Sequence, residues 1–259
     1  ELTRIPGTRG YDFPRNTEEK ARLLKLAREA GFRTFDFIDV TLEEQKASGS
    51  AYAPFAFFID ISQSPLDRLN RLATKCRDRN PELLFRPITK KTLMADLALV
   101  KDVYNAAWEH NWGFTPMTDK EIDFMAERLK PLLVEGLLQL VISPEGPVGF
   151  LLAVPDFNQV FKPLRGTLFS PHIFGVLPYF LGMKSPKLCR VITLGVKAGY
   201  RGRGLESVML SEGLKTGFKI GFTAAEASWV LEDNVKMRRV IELFGARVYK
   251  TYRLFGRAV

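Results

Sequence analysis

From residue 83 onward the apolar residues switch repeatedly between a helical and a strand spacing, and the order of those switches constrains the fold more than anything else in the chain. Leu83 to Pro87 reads as a short strand. Leu93, Leu97, Val100, Tyr104 and Trp108 then recur every three or four residues, the stripe of a long helix. Thr118 and Glu121 make a capping box ahead of a second stripe, Ile122, Met125 and Leu129, which ends at Pro131. Leu137–Ser143 and Val148–Val154 flank Pro144-Glu145-Gly146-Pro147, turn chemistry between two apolar runs and so a hairpin. Residues 190–196 form the next strand. Leu205–Phe218 is helical, Ala224–Val230 extended, Val235–Phe244 helical with Gly245 as the stop, and Arg247–Phe255 extended and aromatic. The order β-α-α-β-β-β-α-β-α-β fits an α/β (α+β) sandwich around a mixed central sheet.

Ahead of this block, residues 17–31 read as a helix stopped by Gly31, Phe32–Val40 and Phe55–Ile61 as strands, and Pro65–Asn80 as a basic helix. Leu24–Val40 is similar to Val240–Leu254: helix, Gly, aromatic strand. Either residues 1–62 are the tail of a first copy, or the likeness is that of a common supersecondary unit.

With 259 residues, 46% of them hydrophobic, the chain can build one large or two modest cores. Its net charge of +9 favours anionic partners: phosphorylated co-substrates, anionic lipid or nucleic acid. No recognition helix or stacking motif supports nucleic acid. Cys76 and Cys189 lie far apart with no CxxC and no His cluster, so neither a disulfide framework nor a metal site is expected, and a reducing cytoplasm fits. The chain opens on Glu1 without a Met, a cleavable signal or a transit segment, as an ordered part of a longer product would.

Chemistry concentrates in Val191–Gly204. A strand ends at Val196, and Arg201-Gly202-Arg203-Gly204 opens a helix at Leu205 and Glu206. Free N–H groups at a helix start, its dipole, and glycines that let a ligand approach the backbone together suit a pyrophosphate. A tight structural turn has the same composition, so spacing alone does not decide.

The strand, the Arg-x-x-Gly-x turn, the helix and strand after it, and the helix opening at Asn234 resemble the second half of the GNAT superfamily of N-acyltransferases, over roughly residues 83–255. The resemblance implies a GNAT-type sheet, acyl-CoA as co-substrate with no metal, and pyrophosphate binding by Arg201, Gly202, Arg203, Gly204, Leu205 and Glu206. It also implies backbone contacts from Leu194, Gly195 and Val196 to the thioester, with Asn234 beside them. The chain departs from the pattern twice: Glu206 stands where the family has Gly or Ala, and Ile241 where many members have a thiolate-protonating Tyr. Aminolysis of a thioester further needs a base, for which Glu226, Glu232, Asp233, Glu109 and His110 are candidates. Glu232 and His110 are preferred, because Asp233 suits a helix cap and Glu226 an exposed strand position.

The strings around Trp108–Phe114, Val154–Asn158, Ser228–Asn234 and Val248–Arg253 are similar to an uncharacterised bacterial GNAT-like family related to bacterial ceramide synthases. That likeness implies three parts: residues 1–64 as the tail of an incomplete N-terminal GNAT-like unit, 65–82 as a connecting helix, and 83–259 as the acyltransferase domain with an apolar insertion at 156–188. Gly166–Met183 carries no Asp, Glu, Lys or Arg over 18 residues and is flanked by Lys162, Arg165, Lys184, Lys187 and Arg190. Pro171 and Pro178 argue against a spanning helix, leaving an interfacial segment on anionic lipid at the inner membrane or a lid on the core. The expected activity is transfer of a fatty acyl group to the amine of a lipid-like, sphingoid-type acceptor. The alternatives are acetyl transfer to a small amine and a binding module without catalysis.

Overall fold

The computed structural model describes residues 54–252 apart from 110–113, 165, 168–170 and 182. The helix and strand expected within 17–40, and with them the internal similarity, lie outside the described residues. The elements, in chain order, are β1 (Pro54–Asp60), α1 (Leu66–Arg79), β2 (Leu84–Pro87), α2 (Leu93–Trp108), α3 (Asp119–Leu129), β3 (Leu138–Ser143) and β4 (Gly146–Pro155). There follow α4 (Asn158–Phe161), α5 (Ile173–Phe180), β5 (Leu188–Val196), α6 (Leu205–Lys219), β6 (Ala224–Leu231), α7 (Val235–Leu243) and β7 (Arg247–Thr251). From β2 onward the expected order holds, with α4 and α5 added inside the insertion.

The strands form one mixed sheet in the order β2-β3-β4-β5-β6-β1-β7. Every pair is antiparallel except β5 with β6, which is parallel. β1, which the sequence reading assigns to the tail of an N-terminal unit, is hydrogen-bonded between β6 and β7. Helices flank the sheet: α2 packs on β4 and β5, α6 packs on β3, β4 and β5, and α1 lies against α6. The α2 stripe of Leu93, Leu97, Val100 and Val103 is buried in the main core with Phe57, Phe150 and Ile241. Asp96, on the same helix, is buried too, and takes two bonds from the Arg86 guanidinium at 2.8 and 2.5 Å, which repays its desolvation. The Thr118/Glu121 capping box forms as the sequence requires.

Candidate functional site

The central feature is a parting of two strands. β5 and β6 are in register from Leu188↔Ala224 to Val191↔Ala227, yet β5 runs on to Val196 and β6 to Leu231. Each stays paired on its outer side, β5 with β4 as far as Val196↔Gly149 and β6 with β1 as far as Leu231↔Pro54. The inner edges therefore open into a V whose arms carry backbone groups that no strand satisfies, a place for an extended ligand to hydrogen-bond. Leu194, Gly195 and Val196 lie on one arm. At Gly195 a Cβ would sit 2.7 Å from the Phe150 ring, so only Gly lets that ring cross the strand. Thr193 Oγ1, buried on the same arm, has no hydrogen-bond partner among the described residues.

At the open end of the V stands the turn. Gly202 and Gly204 have φ of 78° and 86°, the left-handed region, and Gly204 is the N-cap residue of α6. A Cβ on Gly204 would meet Cys76 Sγ at 3.2 Å, whereas Gly202 faces open space. The backbone at Gly202 is thus approachable from outside while that at Gly204 is held against α1, where the Cys76 thiol donates to the Arg203 carbonyl at 3.0 Å. The arginines are more committed than the sequence suggests. Arg201 donates from Nε to the Val196 carbonyl at 3.1 Å and from Nη2 to the Ala107 carbonyl at 2.5 Å, tying the turn to the ends of β5 and α2. Arg203 pairs with Glu82 at 2.7 Å, not with Glu206, and lies over the Tyr200 ring. Glu206 sits in the first turn of α6, and burial raises its pKa, so it carries its charge less readily than an exposed carboxylate beside a phosphate site. With both guanidinium groups engaged by protein partners, what the turn offers a ligand is backbone N–H groups and the α6 dipole more than arginine side chains.

The vertex of the V holds a buried polar cluster. Arg190 and Glu226 are register partners on the parallel strands, so their side chains share a face. Glu226 is 6% exposed. Its Oε1 accepts from Arg190 Nη2 at 2.6 Å and from Ser228 Oγ at 2.7 Å, and its Oε2 accepts from the Tyr249 hydroxyl. Burial acts to raise the Glu226 pKa, but the Tyr249, Ser228 and Arg190 bonds outweigh it and hold the carboxyl below its ordinary value. Burial and the neighbouring carboxylate push the Tyr249 phenol well above its own range. The cluster therefore presents an ionised acid, a paired arginine and a neutral phenol at working pH.

The expected exposed position of Glu226 is corrected by this burial. In Ala-Ala-Glu-Ala-Ser-Trp the small residues carry no clear alternation, so the sequence does not show which side faces inward. Arg190, Ser228 and Tyr249, the other members of the cluster, have no local signal at all. Asn234 is the N-cap of α7, its side chain accepting from the Met237 N–H at 3.2 Å, so the cap expected of Asp233 belongs to Asn234. Glu232 follows β6 at the open end of the V, roughly 20 Å along the strand from Glu226 at the usual rise per residue. Glu109 ends α2 close to the turn, and His110 lies outside the described residues. Ile241 is a core residue. Among the described residues, no group of three potential metal ligands occurs.

No protein-family model matches the chain. It is 29% identical over 204 residues to Protein YghO of Escherichia coli, a match covering 77% of this chain and 51% of that protein. It is 31% identical over 181 residues to a bacterial ceramide synthase of Caulobacter vibrioides, covering 68% of this chain and 47% of the relative. The chain thus spans about half the length of both curated relatives. Among solved structures, a GCN5-related N-acetyltransferase from Sphaerobacter thermophilus superposes with a TM-score of 0.52 at 15% identity over 92% of this chain and 67% of that one. The GCN5-related glucosamine N-acetyltransferase region of a fungal β-N-acetylglucosaminidase gives a TM-score of 0.51 at 12% identity, over 90% of this chain and 26% of that one.

Proposed function

From the GCN5-related N-acetyltransferase fold, which this chain carries, we propose that it moves a fatty acyl group from acyl-CoA to the amine of a lipid-like, sphingoid-type acceptor, in the cytoplasm at the inner membrane. The observation that carries the reading is the V between β5 and β6, opening beside the glycine turn that starts α6. In it, the pyrophosphate lies on Arg201–Glu206 and the α6 N-terminus, the thioester carbonyl on the inner edge of Leu194–Val196, and the acyl group points to the vertex. The acceptor nitrogen attacks the thioester carbon, the C–S bond breaks, an amide forms, and the proton lost by nitrogen ends on the thiolate. Arg190, Glu226, Ser228 and Tyr249 position the acceptor at the vertex. Glu232, at the open end, and His110 are the candidate bases. The name of the Caulobacter relative supports the lipid acceptor.

The test is mass spectrometry of the products from palmitoyl-CoA or acetyl-CoA with a long-chain sphingoid base or a short diamine. The expected result is an N-palmitoyl amide of the sphingoid base with one thiol released per amide. Acetyl transfer to the diamine alone would overturn the lipid reading. Binding of the thioesters without transfer to any amine would favour the non-catalytic module, for which Ile241 and Glu206 speak.

A further inference from the structure

The insertion folds into a small unit with two unlike sides. Val160, Leu164 and Val176 are buried together, with Phe157, Ile173 and Tyr179 packed on them. The other side of α5 and the turn after it are as apolar as the first, and they face outward: Phe174 is 74% exposed, Leu177 46%, Leu181 63% and Met183 74%. Residues 174, 177 and 181 are spaced to lie along one face of a helix. A helix apolar on every side is found where both sides are removed from water, and here the fold covers only one. Pro178, inside α5, is accommodated, and its carbonyl closes the helix end by accepting from Met183 N–H at 2.9 Å and Lys184 N–H at 3.1 Å.

Basic residues flank this segment in sequence. Lys162 and Lys184, one on each side of it along the chain, are exposed. Lys187 reaches the Gly221 carbonyl at 3.4 Å, and the Lys187 carbonyl accepts from the Thr223 and Ala224 N–H groups, so the end of the insertion is stitched to the turn between α6 and β6. The end of α6 repeats the pattern: Phe218 and Ile220 are exposed with Lys219 between them. Among the described residues, no helix is long and apolar enough to cross a membrane.

We propose that the outer face of α5, together with the Phe218–Ile220 end of α6, is a docking surface for an anionic lipid bilayer, its apolar side chains entering the headgroup region and Lys162, Lys184 and Lys219 meeting lipid phosphates. Apolar residues rimmed by lysine match a bilayer of negative surface potential better than the polar surface of a protein subunit. The placement is consistent with the chemistry, and in this respect alone it rests on the acyl-transfer reading. The insertion leaves the sheet where Asp156 N–H bonds the Leu188 carbonyl, two residues before Arg190 at the vertex and a strand length from the phosphate turn. An amphipathic amine would then pass from the bilayer to the vertex without crossing water, while the nucleotide part of the donor stays in solvent at the other end.

The experiment is co-sedimentation of the chain with phosphatidylcholine vesicles and with vesicles of equal parts phosphatidylcholine and phosphatidylglycerol, with no substrate present. Binding to the mixed vesicles is expected, weakened by salt. Phe174→Ser with Leu181→Ser should reduce it at least about ten-fold, and Lys162→Glu with Lys184→Glu by roughly five-fold or more per residue. Both pairs are exposed, so the thermal midpoint and its shift with palmitoyl-CoA should match those of the unaltered chain. Failure of the palmitoyl-CoA shift would count against the acyl-transfer site and leave docking standing. Absence of binding to mixed vesicles, or binding that the serine pair leaves intact, overturns docking. So does a dimer in solution that the serine pair dissolves without vesicle binding, which would give the face to a second copy.

Discussion

Replacing Glu226 by Gln keeps the volume of the side chain and removes its charge, which isolates what the vertex cluster contributes. The carboxylate accepts from three donors, and Gln has one acceptor oxygen, so an amide N–H must turn toward Tyr249 or toward the Arg190–Ser228 side. Breaking a fully buried ion pair costs about 3–5 kcal/mol. Arg190 is 38% exposed and regains water when its partner is lost, so the expected cost is about 2 kcal/mol. An exposed pair would give less than about 1 kcal/mol. Urea unfolding at constant slope measures the difference as a shift in midpoint. Arg190→Met should remove most of the penalty of Glu226→Gln, because the uncompensated charge is gone, giving a coupling energy of at least about 1 kcal/mol. The pH dependence has a definite sign. A carboxyl held below its ordinary value of 4.5 binds its proton more readily in the unfolded chain, so its stabilisation is full above that value and is lost as pH falls through the folded-state value. The gap between wild type and Glu226→Gln should stay flat from neutral pH to about 4.5 and then close. A penalty under about 0.5 kcal/mol, no coupling to Arg190, or a gap that widens in acid would refute the argument.

Three further outcomes follow from the site. Gly204→Ala introduces a Cβ 3.2 Å from Cys76 Sγ at a positive φ and should cost about 1–2 kcal/mol in thermal melts, more than Gly202→Ala, which meets only the backbone strain. Arg201→Ala frees the Val196 and Ala107 carbonyls and should weaken palmitoyl-CoA binding about ten-fold by titration; Arg201→Lys should not restore it, since one ammonium lacks the guanidinium fork. Burial pushes the Cys189 thiol up to about 12 and raises Cys76, so neither should take up iodoacetamide in the native chain at mildly alkaline pH, and both should do so in urea, by intact-mass measurement.

The elements from β2 to β7 were legible because each has a local cause. Thr118 and Glu121 cap α3, Gly245 stops α7, and the apolar stripe of α2 is unbroken over sixteen residues. The turn at Arg201–Gly204 was legible for the same reason. What escaped the sequence is set by strands meeting at a distance. The parting of β5 and β6 depends on where pairing stops, and nothing within Leu188–Val196 marks Val191 as its limit. The vertex joins residues from β5, β6 and β7, so Arg190 and Tyr249 read locally as an ordinary basic border and an ordinary aromatic strand residue. The exposed face of α5 was half legible. Composition showed an apolar segment with basic borders, and only the packing of Val176 inward distinguished one side from the other.

The central claim is that the donor occupies the V between β5 and β6. Amide hydrogen exchange across the chain, with and without palmitoyl-CoA, tests it most directly, because the Leu194 and Val196 N–H groups lie on the inner edge without a strand partner and exchange through solvent. Palmitoyl-CoA should slow exchange at Leu194 and Val196 and at Gly202–Glu206 together. Protection confined to other segments, with both of these unchanged, would contradict it.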